Sequence, residues 1–346
     1  MTKGNRLMAL MSLWGIILVV LGHSGFEEPL VKEKLLWLNT WIYMFHMPLF
    51  FFISGYLYSL TQKDFTKIDS KAFLKKKFIR LFVPYLVLGL IVFVIKYGMT
   101  GIIGSSRSFS LQDFFMMFIA PRWPNSTMGY LWFIGTLFFL FVVISILGSL
   151  KVNLRKPLIA VSFIVVLWIV RYFLSGQELW IRVFNLQALT WYFPFFIIGI
   201  LYQMNETKII SITDVGKNKT LFLFLLTLLG TWLLMHSYPV RYLQKILFAI
   251  IGVCFSMALC STLLKNDFVN QRILPFGNIT YTIYLMSFFG QYSVKVVVWN
   301  VLHLNWPVLV SFMFIGGLIF PLIVYWLYIK TNNFGGNKFV KILIGA

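Results

Sequence analysis

Ten long apolar runs separated by short polar and basic connections set the pattern of this chain, at roughly 7–24, 40–61, 81–99, 129–150, 157–174, 188–204, 220–237, 246–264, 279–300 and 307–329. Each comes near the ~20 residues a helix needs to cross the hydrocarbon core of a bilayer. The expected fold is therefore an all-α polytopic membrane protein with about ten transmembrane helices, forming a single membrane domain over 1–346. Two connections stand out. Segment 62–80 is strongly basic and ends in KAFLKKKFIRLF, which predicts an interfacial amphipathic helix. Segment 101–129 carries an apolar stripe and a Pro-bounded turn, which predicts a surface helix or lid, and Asn125 opens an Asn-Ser-Thr glycosylation pattern within it. The sequences FISGYLY at 52–58 and FIIGILY at 196–202 agree at five of seven positions, a match that chance explains in so Phe-, Ile- and Leu-rich a chain.

Composition sharpens the class. With 60% hydrophobic and 12% charged residues, the chain has too few polar side chains for a soluble globule, where about a quarter charged is usual. A formal charge of +20 invites a nucleic-acid reading, but the basic residues alternate with the apolar runs instead of forming a solvated stripe. Placing the N-terminus inside puts 20 of the 30 Lys and Arg residues on the cytoplasmic side, which predicts both termini there. Lys3 and Arg6 resemble the start of a signal peptide, but no small-residue cleavage motif follows, so the first run is read as a retained helix. Cys254 and Cys260 lie six apart and face different sides of one helix, which argues for packing and against a disulfide framework or a metal cluster.

Against this apolar background the ionisable residues are conspicuous. His23 closes the first run and His46 sits within the second, two positions before Pro48. An ionisable group inside a membrane is a functional-site candidate by default. At about 1.5 Å per residue, His23 lies roughly 25 Å from Arg6 and His46 roughly 24 Å from Gln62, so antiparallel helices bring both imidazoles to one depth. Lys96 and Arg171, roughly 24 and 22 Å above Arg80 and Lys156, reach the same level. Pro48 leaves the Met44 carbonyl without its helical donor, so a kink is expected beside His46. All ten acidic residues fall in loops or at helix ends, which disfavours ion-coupled transport and carboxylate-based hydrolysis. Neutral imidazole among cations suits general-base activation of a hydroxyl, with the cations stabilising an oxyanion on an acyl group.

Each of these residues also has a plainer role. Lys96 and Arg171 are within snorkelling reach of headgroups, and His46 is placed to hydrogen-bond a freed carbonyl. Trp132 and Tyr192 fit an interfacial aromatic belt as well as sugar stacking. The 62–80 basic run fits anionic lipid as well as a phosphorylated substrate. His236 and His303 lie at loop edges and receive no role.

Several blocks together resemble the integral-membrane acyltransferase family 3, and within it the fucose 4-O-acetylase-like branch. They are GIILVVLGHS at 15–24, FHMPLFFFISGYLY at 45–58, KKKFIRLFVPYL at 75–86, LWFIGTLF at 131–138, FFIIGIL at 195–201 and GNITYTIYLMSFF at 277–289. The resemblance implies acyl-CoA, in the first place acetyl-CoA, as donor and co-substrate with no permanently bound cofactor. It also implies an acceptor hydroxyl on a cell-envelope glycan or lipid-linked sugar, and a place in the bacterial cytoplasmic membrane among its lipids, with no nucleic-acid partner. It implies that His23 is the catalytic histidine and that His46, Arg80 and Trp132 occupy motif positions. Two positions depart from the family pattern: Ser12 stands where a basic residue is usual eleven before the histidine, and Ser287 where Ile-Tyr-Leu-x-His usually ends. Donor phosphates then fall to Arg80 with Lys75, Lys76 and Lys77, while Trp132, Tyr192, Arg171 and Lys96 are the acceptor-side candidates. An exporter of glycan or glycolipid, and a non-catalytic homologue, share the same aromatic-lined and basic-edged pattern.

Overall fold

In the computed structural model, residues 2–62, 70–98, 111–120, 129–173, 180–206, 216–236, 241–332 and 338–345 are described, and no strand occurs among them. In chain order the helices are α1 (Lys3–Gly22), α2 (Pro29–Lys34), α3 (Leu36–Thr61), α4 (Ser70–Lys77), α5 (Val83–Gly98), α6 (Leu111–Ile119) and α7 (Trp132–Ser149). They are followed by α8 (Pro157–Phe173), α9 (Leu186–Met204), α10 (Lys217–His236), α11 (Arg241–Leu263), α12 (Thr280–Lys295), α13 (Trp306–Asn332) and α14 (Lys338–Ile344). Among the described residues, eight helical segments are long and apolar enough to cross a membrane. The other two apolar runs are also helical: α8 has 17 residues, and α12 has 16 with a π-helical turn, Val296–Val301, directly after it. The chain is an all-α polytopic membrane protein.

The basic stretch before the third run is helical and continuous with it, in one helical segment Ser70–Ile95. Pro84 has no amide proton, so the Arg80 carbonyl lacks an i+4 donor. A π-helical turn over Phe78–Phe82, closed by the Val83 amide on the Phe78 carbonyl, carries the helix across that gap. In the expected surface segment 101–129, α6 is helical; 101–110 and 121–128, including Asn125, lie outside the described residues, as do Lys63 and Lys67. Pro48 likewise sits inside an uninterrupted α3.

The chain divides into two compact units, Met1–Ser59 with Ile198–Phe334 and Leu60–Ile197 with Gly335–Ala346. The first is built around α1. Its buried residues, among them Leu7, Met8, Leu10, Met11, Leu13 and Ile16, surround the axis instead of forming one stripe. A helix that is apolar all round is a buried helix, and α1 packs against α11, α12, α13 and the 3-10 stretch Leu274–Ile279. Leu49 and Tyr56 of α3 and Cys260 of α11 complete this core. Polar side chains pin the packing: Arg6 donates to Asn270 Oδ1, Trp14 Nε1 to Ser256 Oγ at 3.2 Å, and Trp41 Nε1 to Thr227 Oγ1 at 2.9 Å. Cys260 is buried as expected of a packing residue, whereas Cys254 is exposed on the outside of α11.

The second unit packs α4 and the π turn against α7, with α14 against α5. Its centre is aromatic, with Phe82 4.6 Å from Phe138 and Phe73 5.7 Å from Phe141. The Tyr85 hydroxyl donates to the Met117 carbonyl at 2.6 Å and ties α6 to α5.

Candidate active site

His23 caps α1, one residue past the span Lys3–Gly22. Its amide is shared between the carbonyls of Val19 at 3.1 Å and Val20 at 3.3 Å, and the Ser24 amide turns back to Leu21 at 3.0 Å. Gly25, at φ +81°, then reverses the chain into α2, whose first residue is Pro29. A left-handed residue at this point favours glycine, and proline suits a first helical position. The turn leaves the His23 ring exposed at the end of a buried helix.

Tyr43 of α3 links the two histidines. Its ring lies edge-on to His23 at 6.1 Å and to His46 at 4.8 Å, and its hydroxyl donates to the Gly22 carbonyl at 3.2 Å. His46 is 2% exposed, and its Nδ1 is 2.8 Å from the Ile42 carbonyl. A carbonyl only accepts, so Nδ1 carries the proton and Nε2 presents a lone pair. The acceptor is the carbonyl one turn back, not the Met44 carbonyl that Pro48 deprives of its donor.

A carboxylate does act on this site, contrary to the expectation of imidazole among cations alone. The protein around His23 holds its pKa below the ordinary 6.5 by desolvation, and Glu27, four residues on, opposes that shift. Glu27 and Glu28 are gathered by Lys295 of α12, at 3.9 and 2.7 Å. Gln291, one turn earlier on α12 and 5% exposed, donates from Nε2 to the Val20 carbonyl at 2.7 Å and to Ser24 Oγ at 3.1 Å. Gln291 and Lys295 were not among the sequence candidates. The available signal was an amide and a cation four apart in an otherwise apolar run.

The other candidates belong to the second unit. Lys75, Lys76 and Arg80 are exposed, with Arg80 on the π turn. Lys77 points elsewhere: its Nζ stands 4.1 Å from the centre of the Phe141 ring and 5.4 Å from that of Phe73. Trp132 and Tyr192 come together, ring centroids 5.5 Å apart. Beside Trp132, buried Asn185 donates to Thr136 Oγ1, whose hydroxyl donates to the Trp132 carbonyl at 2.7 Å. Arg171, in the last turn of α8, has an Nη1 shielded from solvent that finds no hydrogen-bond partner among the described residues. Lys96 lies on α5, but its side chain is outside the described residues.

These features suit proton transfer at an accessible imidazole, and a family model for the acyltransferase domain matches residues 10–326. The chain belongs to acyltransferase family 3. Neither the curated proteins nor the solved structures provide a match. The matched range of this membrane acyltransferase takes in both histidines, Arg80, Trp132 and all of α12, and leaves out α14. Its two departures from the family pattern are now placed. Ser12 spends its hydroxyl on the Met8 carbonyl at 2.8 Å, and Ser287 is buried on α12 one turn before Gln291.

Proposed function

We propose that this acyltransferase moves an acetyl or similar short acyl group from acyl-CoA to a sugar hydroxyl of a cell-envelope glycan or lipid-linked sugar, in the manner of the fucose 4-O-acetylase-like branch. The observation that carries this reading is His23 itself. It is an accessible imidazole at the end of a buried helix, with its pKa below the ordinary histidine value through desolvation by the surrounding protein, and it is flanked edge-on by the Tyr43 ring.

In this reaction His23 takes the proton of the acceptor hydroxyl as its oxygen attacks the thioester carbonyl. The carbon–sulfur bond then breaks, the ester forms, and the coenzyme A thiolate leaves to be protonated. Glu27 favours the imidazolium formed in that step, and His46 backs the site through Tyr43. Exposed Arg80, with Lys75 and Lys76, takes the donor phosphates; a guanidinium offers phosphate a planar, bidentate match. Trp132 and Tyr192 present ring faces to the sugar, and Arg171 and Lys96 supply positive charge on the acceptor side. The whole chain acts as one domain in the bacterial cytoplasmic membrane with both termini inside, an orientation supported by the distribution of basic residues.

The test is purified protein in detergent with radiolabelled acetyl-CoA and a panel of sugar acceptors, with products identified by mass spectrometry. His23→Ala is expected to fold and to lose transfer by on the order of 10²–10⁴. His23→Gln should be no better, since it keeps hydrogen bonding without basicity. Near-normal turnover in either variant would remove His23 from the mechanism.

A further inference from the structure

Gln291 is a primary amide buried on α12, where a polar group is costly unless its donors are used. The nitrogen has two protons and makes two hydrogen bonds, to the Val20 carbonyl at 2.7 Å and to Ser24 Oγ at 3.1 Å. Ser24 Oγ closes the triangle by donating to the same carbonyl at 2.8 Å. Val20 and Ser24 bracket His23. In a continuing helix the Val20 carbonyl would receive the Ser24 amide, but that amide has turned to Leu21. At this helix end the carbonyl has lost its i+4 amide, and beside the His23 amide and the Ser24 hydroxyl α12 supplies a further donor from 271 residues away in sequence.

One turn further along the same face of α12, Lys295 fastens Glu28 at 2.7 Å. The two contacts grip the His23 turn from one helix, before and after the imidazole. Val20 would keep the Ser24 hydroxyl and the His23 amide if Gln291 were lost, so no buried acceptor would be stranded. The amide therefore matters little to the survival of the fold. Its effect is on direction, because it fixes the last turn of α1 against an independent helix.

We propose that Gln291 is a positioning residue for the acyl-transfer step, acting through the α1 terminus to hold the His23 imidazole in its reactive direction, with Lys295 steadying the turn that follows. This rests on the reading of His23 as the general base.

Gln291→Met keeps the side-chain volume and removes the donors; Gln291→Asn keeps the chemistry on a shorter reach and serves if the first variant does not fold. Three quantities are read in detergent: kcat with KM for acetyl-CoA and acceptor, the melting temperature, and the rate at which diethyl pyrocarbonate modifies His23, followed by peptide mass spectrometry with His23→Ala as background. Gln291→Met is expected to lower kcat on the order of 10-fold to 10²-fold, the scale of a small misplacement of a reacting group. Both KM values and the melting temperature should stay near wild type, the His23 modification rate should change, and Gln291→Asn should fall between. Unchanged kcat and unchanged His23 reactivity would overturn the proposal, as would a kcat loss that only tracks a loss of folded protein. If His23→Ala itself turns over normally, the general-base reading fails. The modification rate then still decides whether Gln291 orients that ring.

Discussion

Replacing Gly199 with alanine probes the backbone contact between α3 and α9 in the unit that carries His23. A Cβ built on Gly199 would lie 2.0 Å from the Phe52 carbonyl oxygen and 2.9 Å from the Tyr56 amide nitrogen, where ordinary contact begins at 3.4 Å. Both obstacles are main-chain atoms, so no rotamer change relieves the clash and the helices must part by more than about 1 Å. Three contacts depend on that approach: Phe52 with Tyr202 at 5.4 Å and Ser59 with Gln203 at 2.9 Å between the two helices, and Tyr56 with Glu206, just past the end of α9, at 2.9 Å. Overpacking costs about 1–3 kcal/mol and each weakened hydrogen bond about 0.5–1.5 kcal/mol. Separation trades one cost for the other, so they do not add fully, and about 2–4 kcal/mol is expected for Gly199→Ala. The assay is thermal unfolding in detergent followed by tryptophan fluorescence. The control is Gly129→Ala, whose added Cβ meets nothing within 4 Å. Gly199→Ala should melt several degrees below the control. Equal melting temperatures would refute the claim that this crossing requires glycine.

Two further outcomes follow from the site. Because desolvation holds His23 below 6.5 and Glu27 raises it, the acid limb of kcat/KM should lie below pH 6.5, and Glu27→Gln should move it further toward acid; a shift toward neutral pH would reverse the assigned role of Glu27. Arg80→Ala should weaken acyl-CoA binding in a salt-dependent manner, and Arg80→Lys should weaken it less, while Lys77→Met, which removes a charge already stacked on Phe141, should leave donor affinity near wild type; equal losses at both positions would show that net charge, not the Arg80 guanidinium, holds the donor.

The ten apolar runs were legible because a span needs only length and hydropathy, both local properties of the sequence. The continuity of Ser70–Ile95 was not, because its first turns carry Lys71, Lys75, Lys76 and Lys77 and Pro84 removes a helical donor, and only the π turn before Pro84 carries the helix on. His23 and His46 stood out as ionisable groups among apolar neighbours. Tyr43, which lies between them, was not a candidate, since its contacts with both imidazoles come from the crossing of α1 and α3. Gln291 was overlooked for a related reason: an uncharged amide carries less signal than a histidine, and its partners lie 267 and 271 residues away. The segments FISGYLY and FIIGILY, whose likeness chance explains, are also in contact. Gly199 and Tyr202 from the second in fact pack on Phe52 and Tyr56 from the first, a contact that two similar strings do not by themselves announce.

Placing the candidate base on α1 instead of a peripheral helix has a mechanical consequence. A helix packed on one side keeps freedom to rotate and slide against lipid. The spans of α10 and α13 are of that kind, with 28% and 22% of their apolar windows buried. The α1 window is 61% buried, as is that of α3, which supplies Tyr43 and His46. Packing around the whole circumference of α1 fixes its rotation and its depth together, because either motion would force buried side chains into occupied volume. An imidazole at its end inherits that definition only as far as the last ordered turn, and a helix terminus is where order is lost first. Gln291 and Lys295 act at that weak point. The positional precision that acyl transfer needs is then set by the buried body of α1 and carried past its terminus to His23 by α12.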